Sequence, residues 1–194
     1  MTTPKPGRPK AISREMLAEA ACELFLERGF EQTSVADIAR RAGIARSSFF
    51  NYAPSKSSLL WAGLDERIDA LAVALAEGAD AREAISAAVD GFAPDALALA
   101  FAQAAAMGIE EDLEREAAMR VARIGSLVAP ALRRAGATEL AAQVRGAAHG
   151  AAVIAAIRSW ALQGAGRSSL ADLVAEALRA ADPAAPGGRG GPLT

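Results

Sequence analysis

The chain has little of what most enzymes are built around. Its 194 residues include one histidine, one tyrosine and one cysteine, and aromatic side chains make up 5%. No metal-ligand cluster, no glycine-rich phosphate loop after a strand and no spaced nucleophile and base can be picked out, so a small helical enzyme is the least favoured class. Neither a metal nor a cofactor is expected. A lone cysteine excludes a disulfide framework within one chain. Cys22 stands beside Ala18, Ala21 and Phe25 at helical spacing and reads as core. The longest uncharged apolar run, Ala96 to Ile109, falls short of the roughly 18 to 20 residues that span a bilayer. The first residues are polar and proline-rich, unlike a secretory leader. Together these absences predict a cytoplasmic protein without membrane contact. β-branched runs are missing too, whereas alanine is abundant and 52% of the residues are apolar, which favours an all-α fold of about nine helices.

The most specific segment runs from Thr33 to Lys56, TSVADIARRAGIARSSFFNYAPSK. Ser34 followed three residues later by Asp37 is a capping-box pattern and predicts a helix from Val35. Val35, Ile38, Ala39 and Ala42 give that helix one apolar face, and Gly43 supplies the left-handed conformation that ends it. About three residues then lead into a second helix, Ala45 to Tyr52, a turn tight enough to make the two helices cross steeply. Ile44 and Phe49 point to the core. The opposite face carries Arg46, Ser47, Ser48 and Asn51, a set of donors and acceptors suited either to base edges in a major groove or to plain solvation. Ser55 predicts the cap of a further helix whose first turn holds Lys56. A cation is out of place at the positive end of a helix dipole, and a bound phosphate would relieve the mismatch.

Charge is divided along the chain. Residues 1–56 hold nine Lys and Arg against six Asp and Glu, whereas the remainder holds 12 against 17. A basic end on an acidic protein orients its approach to a polyanion. The opening MTTPKPGRPK adds Lys5, Arg8 and Lys10 on a Pro/Gly-rich arm, suited to a minor groove or simply to solubility.

Residues 13–61 resemble the N-terminal DNA-binding domain of the TetR family of bacterial transcriptional regulators. The likeness rests on LERGFEQTSV closing the first helix, on the IARRAGI turn, on the aromatics Phe50 and Tyr52, and on the Ser55-Lys56 pair. It implies that Ser34 and Lys56 each contact a phosphate from a helix start. It also implies that Arg46, Ser47, Ser48 and Asn51 face the groove and that Phe50 and Tyr52 lie on the sugar-phosphate backbone. Thr33, beside Ser34, and the arm residues Arg8 and Lys10 complete the expected DNA-facing set. Three positions depart from the family pattern: Phe50 replaces a common tyrosine, Ala45 a frequent serine cap, and Ala53 a larger apolar side chain.

The remaining sequence divides into a basic arm (1–12), a helix-turn-helix unit (13–54), a helical effector-binding and dimerisation domain (55–181) and a tail (182–194) that has no means of packing. Helices are expected over Ser55–Glu77, Ala81–Gly91, Pro94–Met107, Glu110–Arg134, Thr138–Gln163 and Ser168–Ala181. Glu110, Glu111, Asp112, Glu114 and Glu116 match the dipole of their helix start and read as a solvated face. Gly146 and Gly150 leave one side of their helix nearly bare. Leu170, Leu173, Val174, Ala177 and Leu178 form an apolar stripe on the last helix. Both suggest a homodimer through the last two helices, as the resemblance also implies, with the alternative that they pack within the chain. A palindromic double-stranded DNA operator follows from such a dimer. The resemblance further implies a repressor released by a small molecule. Trp61, Phe92, Phe101, Gln103, Met107, Met119, Arg123 and His149 are the candidate lining, suited to a mostly apolar effector. The rival reading is a DNA-binding regulatory or architectural protein of this fold with no effector, which a closed core would favour.

Overall fold

The computed structural model describes residues 13–182, so the arm 1–12, with Arg8 and Lys10, and the tail beyond Asp182 lie outside the described residues. The described residues are all-α: α1 (Arg14–Arg28), α2 (Val35–Arg41), α3 (Arg46–Phe49), a 3-10 turn (Ser58–Trp61), α4 (Ala62–Ala76), α5 (Ala81–Val89), α6 (Ala96–Ala102), α7 (Ala104–Met107), α8 (Glu110–Arg134), α9 (Glu139–Leu162) and α10 (Leu170–Ala181).

Short polar side chains set most of the helix starts. Ser13, Ser34, Asp80, Asp95, Thr138 and Ser169 each accept a hydrogen bond from a backbone N–H of the first turn they precede, satisfying a group that has no partner inside the helix. α8 has no such cap and instead gathers Glu110, Glu111 and Asp112 at its positive end.

Several boundaries differ from the sequence expectation, and the single helix expected over Pro94–Met107 is broken at Gln103 into α6 and α7. The long helix predicted from Ser55 is two pieces. Ser55 and Ser58 exchange hydrogen bonds, the Ser58 N–H donating to Ser55 Oγ at 3.0 Å and the Ser55 N–H to Ser58 Oγ at 3.1 Å. This closes a local turn, and regular α-helix begins only at Ala62. Pro94 stands ahead of α6 rather than in its first turn, because Asp95 takes the cap position with its side chain on the N–H groups of Leu97 and Ala98.

α9 is the central strut. Leu64, Ile68, Leu71 and Leu75 bury one side of α4, and α8, α6 and α10 all lie against α9. By length and composition α9 is apolar enough to cross a bilayer, yet half of its most apolar stretch is buried inside the fold. The small-residue stripe on α9 faces α8 of the same chain. A Cβ added to Gly150 would fall 2.3 Å from the Val121 carbonyl oxygen, and one added to Gly146 would fall 2.6 Å from that of Gly125. The expectation that this stripe serves a second subunit is thereby corrected, since α8 already occupies it. The apolar stripe of α10 is likewise taken up within the chain, with Leu170, Val174 and Leu178 buried and α9 and α5 as neighbours.

The C-terminal end of α10 is held by charge. Asp182 accepts from Arg145 Nε at 2.7 Å and lies 2.7 Å from His149 Nε2. Arg145 and His149 together hold the Asp182 carboxyl at about 2, below its ordinary range. A folded-state value depressed in this way contributes stability that is complete above about pH 4 and lost as pH falls through about 2.

Gly150→Ala should destabilise the fold by about 1–3 kcal/mol or more, because the added methyl overpacks a backbone contact that cannot relax at one atom. Denaturant unfolding of the variant measures this, and an unchanged midpoint would contradict the close approach of α8 and α9.

Candidate functional site

The segment Thr33–Lys56 folds into a compact corner whose parts are fixed in order along the chain. Ser34 accepts the Asp37 N–H at 3.2 Å, while Asp37 Oδ2 accepts the Ser34 N–H at 3.0 Å, completing the capping box. The Ser34 hydroxyl also donates to Asp37 Oδ2 at 2.6 Å. These bonds to Ser34, joined by Arg40, hold the Asp37 carboxyl at about 2. At the far end of α2, Gly43 has φ +73°. The Gly43 and Ile44 N–H groups then close back on the Arg40 and Ala39 carbonyls, a Schellman closure that requires the left-handed residue.

α3 is shorter than expected. Its regular part is Arg46–Phe49, and the chain continues to Tyr52 through tight turns in which Asn51 and Tyr52 donate to the Ser48 and Phe49 carbonyls. Ala45 supplies no side-chain cap, so nothing local favours a longer helix. Phe49 anchors the turn, fully buried and edge-on to Phe50 at 5.5 Å. Around that anchor, Arg46, Ser47 and Asn51 are exposed and Ser48 is half-buried. Phe50 is 56% exposed, a large apolar ring left in solvent on an otherwise polar surface. Tyr52 is half-buried and packs against the core.

Two of the expected contact residues sit differently. Thr33 is buried, its hydroxyl donating to the Gly29 carbonyl at 2.8 Å and to that of Leu24 at 3.4 Å, so it braces the loop after α1 instead of facing outward. The Lys56 ammonium turns inward too. It donates to the carbonyls of Phe30 at 2.6 Å and Thr33 at 3.1 Å and lies 3.8 Å from the centre of the Phe30 ring. The dipole mismatch that suggested a phosphate is therefore met within the protein. Conversely, the corner contains two cations that the sequence reading passed over. Arg28 and Arg40 both lie beside Asp37, next to Ser34; the i,i+3 spacing of Asp37 and Arg40 was the available signal.

The eight candidate effector residues do not converge on one cavity. Trp61 meets Phe101 edge-on at 5.6 Å, and Phe92 meets Trp160 at 5.8 Å. Met107 and His149 are buried, Gln103 is exposed, and Met119 is 60% exposed. Arg123 pairs with Asp69 and Asp65. Beside α4 the space between Leu64, Arg67, Ile68, Leu71, Ile85, Ile124 and Val153 amounts to about 10 Å³, hardly room for one water. A wider recess of about 420 Å³ opens between the start of α4 and α8, lined in part by Tyr52, Ser58, Asp65, Glu116 and Arg120. Inside that junction, Arg120 bridges Glu116 at 2.5 Å and Asp65 at 2.6 Å, and Ser57 donates to Glu116 at 3.1 Å. Cys22 is buried as expected, and burial pushes its thiol up to about 12, far from a reactive thiolate. Among the described residues no group of three or more His, Cys, Asp or Glu is placed to hold a metal.

Comparison with known proteins falls on the same corner. The sequence pattern of "Bacterial regulatory proteins, tetR family" matches residues 17–62. Over 55 residues the chain is 44% identical to a Mycobacterium tuberculosis protein described as a mycofactocin biosynthesis transcriptional regulator, MftR, a match covering 28% of each protein. Over 66 residues it is 35% identical to the HTH-type transcriptional repressor ComR of Escherichia coli, covering 34% of this chain and 31% of that one. The match thus spans about three tenths of the length of these relatives. Along nearly the whole chain the fold is that of the fatty acid degradation regulator FadR from Bacillus halodurans, with TM-score 0.54, 17% identity, and coverage of 91% of this chain and 96% of that one.

Ser34→Ala should cost about 0.5–2 kcal/mol of stability by opening the capping box. Chemical denaturation checks this, and no loss would mean that the cap does not hold α2.

Proposed function

We propose that the chain, whose residues 17–62 match the bacterial regulatory proteins of the tetR family, is a transcriptional regulator of that family, a repressor that binds double-stranded DNA as a homodimer in the cytoplasm. The observation that carries this reading is the exposed polar face of α3, with Arg46, Ser47 and Asn51 in solvent around a fully buried Phe49. Anchoring by one aromatic leaves the short polar chains fixed in direction, which base reading in a major groove requires. Arg46 has no ion-pair partner among the described residues, so its guanidinium is free for a guanine edge. Ser34, flanked by Arg28 and Arg40, and the exposed Phe50 are assigned to the sugar-phosphate backbone, which fixes register without reading sequence.

The dimer is assigned to α8 and α9. The outward side of α9 carries Leu140, Val144, Ala147, Ala151, Ala155 and Leu162, all exposed and uncharged, and Ala118 and Ala122 of α8 are exposed beside them. Leu140, Val144 and Leu162 are each 60% exposed or more. A second copy related by a two-fold axis would cover this face with its own equivalent. The expected pairing of the last two helices is thus moved by one, since the apolar side of α10 is already covered.

For regulation, the closed space between α4, α5, α8 and α9 favours the form of this reading in which the DNA-binding dimer has no small-molecule effector lodged between those four helices. The repressor released by a small, mostly apolar effector would need such a molecule to part α4 and α5 from α8 and α9, opening space where about 10 Å³ exists now. A ligand can shift that equilibrium only through its differential affinity for the opened state.

Arg46→Ala should relax base preference at one operator position at a cost of about 1–3 kcal/mol, read by binding to a set of single-base operator variants. Unchanged selectivity would remove Arg46 from the reading surface. Ala151→Arg should leave the protomer folded but monomeric, because a two-fold axis would set the charge near its own copy; sedimentation equilibrium decides, and a persistent dimer would place the interface elsewhere.

A further inference from the structure

We infer that Lys56 acts on DNA binding at a distance, as a clamp on the loop between α1 and α2, and makes no phosphate contact through its ammonium. The inference rests on the DNA-binding reading above but assigns the lysine a different job within it. An ammonium has three donors. Two reach the carbonyls of Phe30 and Thr33, and the remaining side of the charge lies over the Phe30 ring at 3.8 Å, where the electron-rich face attracts a cation. Together these partners engage the ammonium within the protein.

The clamped loop has further ties. The Phe30 N–H donates to the Met107 carbonyl at 2.8 Å, its ring meets Phe25 edge-on at 5.0 Å, and the buried Thr33 hydroxyl donates to the Gly29 and Leu24 carbonyls. The Thr33 carbonyl belongs to the peptide that enters Ser34, the cap of α2. Lys56 therefore ties the start of the fourth-helix segment to the exact point where α2 begins, and α3 follows α2 through the Gly43 closure. A shift of residues 55–58 would be passed to the reading surface through this tie, without travelling through the core of the helix-turn-helix. The same residues also meet α8, through Ser57 and Glu116.

Lys56→Met keeps the length and apolar contact of the stem and removes only the donors and the charge. Two measurements on the full chain test the clamp. Duplex DNA binding across a salt series should weaken about tenfold or more, as expected for lost charge-assisted hydrogen bonds, while log K against log salt keeps its wild-type slope. Hydrogen exchange on the free protein should be about tenfold faster at the Asp37 and Ile38 amides, both of which bond to the Ser34 carbonyl. Thr33→Val, which leaves every charge in place, should quicken the same amides. A slope shallower by about 0.9 would make Lys56 a direct phosphate ligand and overturn the clamp, as would unchanged exchange in both variants. Exchange needs no DNA, so it decides the clamp even if the protein were to bind none.

Discussion

Two glycines on one face of α9 let it lie backbone to backbone against α8, and the placement of most other helices follows from that contact. A methyl at Gly150 would fall 2.3 Å from a carbonyl oxygen, so the pair admits one depth of packing and little freedom. Because α8 and α9 approach so closely, their large side chains splay to either side. On the inner side Ile124, Val128, Val153, Ile157 and Trp160 meet α4 to α6 and α10 and close the core. On the outer side mostly alanines remain, leaving a face, broken by a recess where Arg158 pairs with Glu114, that is assigned to a second copy. One steric constraint thus yields both a filled interior and an unfilled exterior.

The same helix pair reaches the nucleic-acid corner through charge. Arg120 and Glu116 of α8, both nearly buried, hold Asp65 and Ser57 at the beginning of the α4 segment. A buried ionic group is costly to leave unpaired, so these residues move together or not at all. From residue 57 the chain is one step from Lys56 and its carbonyl partners. A series of polar contacts, joined through the Lys56–Ser57 peptide, therefore runs from the face of α8 to the cap of α2, and in the proposed dimer a change in how two protomers meet would bear on how two reading surfaces are spaced.

What the sequence made legible was local. The capping box of Ser34 and Asp37, the Gly43 stop and the Phe49 anchor are short-range patterns, and each stands in the structure where the spacing placed it. So do the limits of α8 and α9, set by acidic first turns, Thr138 and the glycine at 136. What escaped was decided by partners distant in sequence. Thr33 looked like a surface neighbour of Ser34 until the Leu24 carbonyl was found above it. Lys56 looked like a free cation because Phe30 lies 26 residues away. Gly146 and Gly150 announced a close helix contact correctly, but nothing in their spacing could say whose helix it was. The candidate effector residues were chosen for size amid alanine, and size alone does not bring side chains to one cavity.

The central claim is that the α3 corner reads DNA sequence from a two-fold dimer. Selection of genomic fragments by the purified full chain tests it most directly. The account predicts enrichment of an approximate palindrome whose half-sites lie about one helical turn, roughly 34–36 Å, apart, bound by two protomers. Folded protein that retains no fragment above background, or that enriches fragments sharing no sequence, would contradict it.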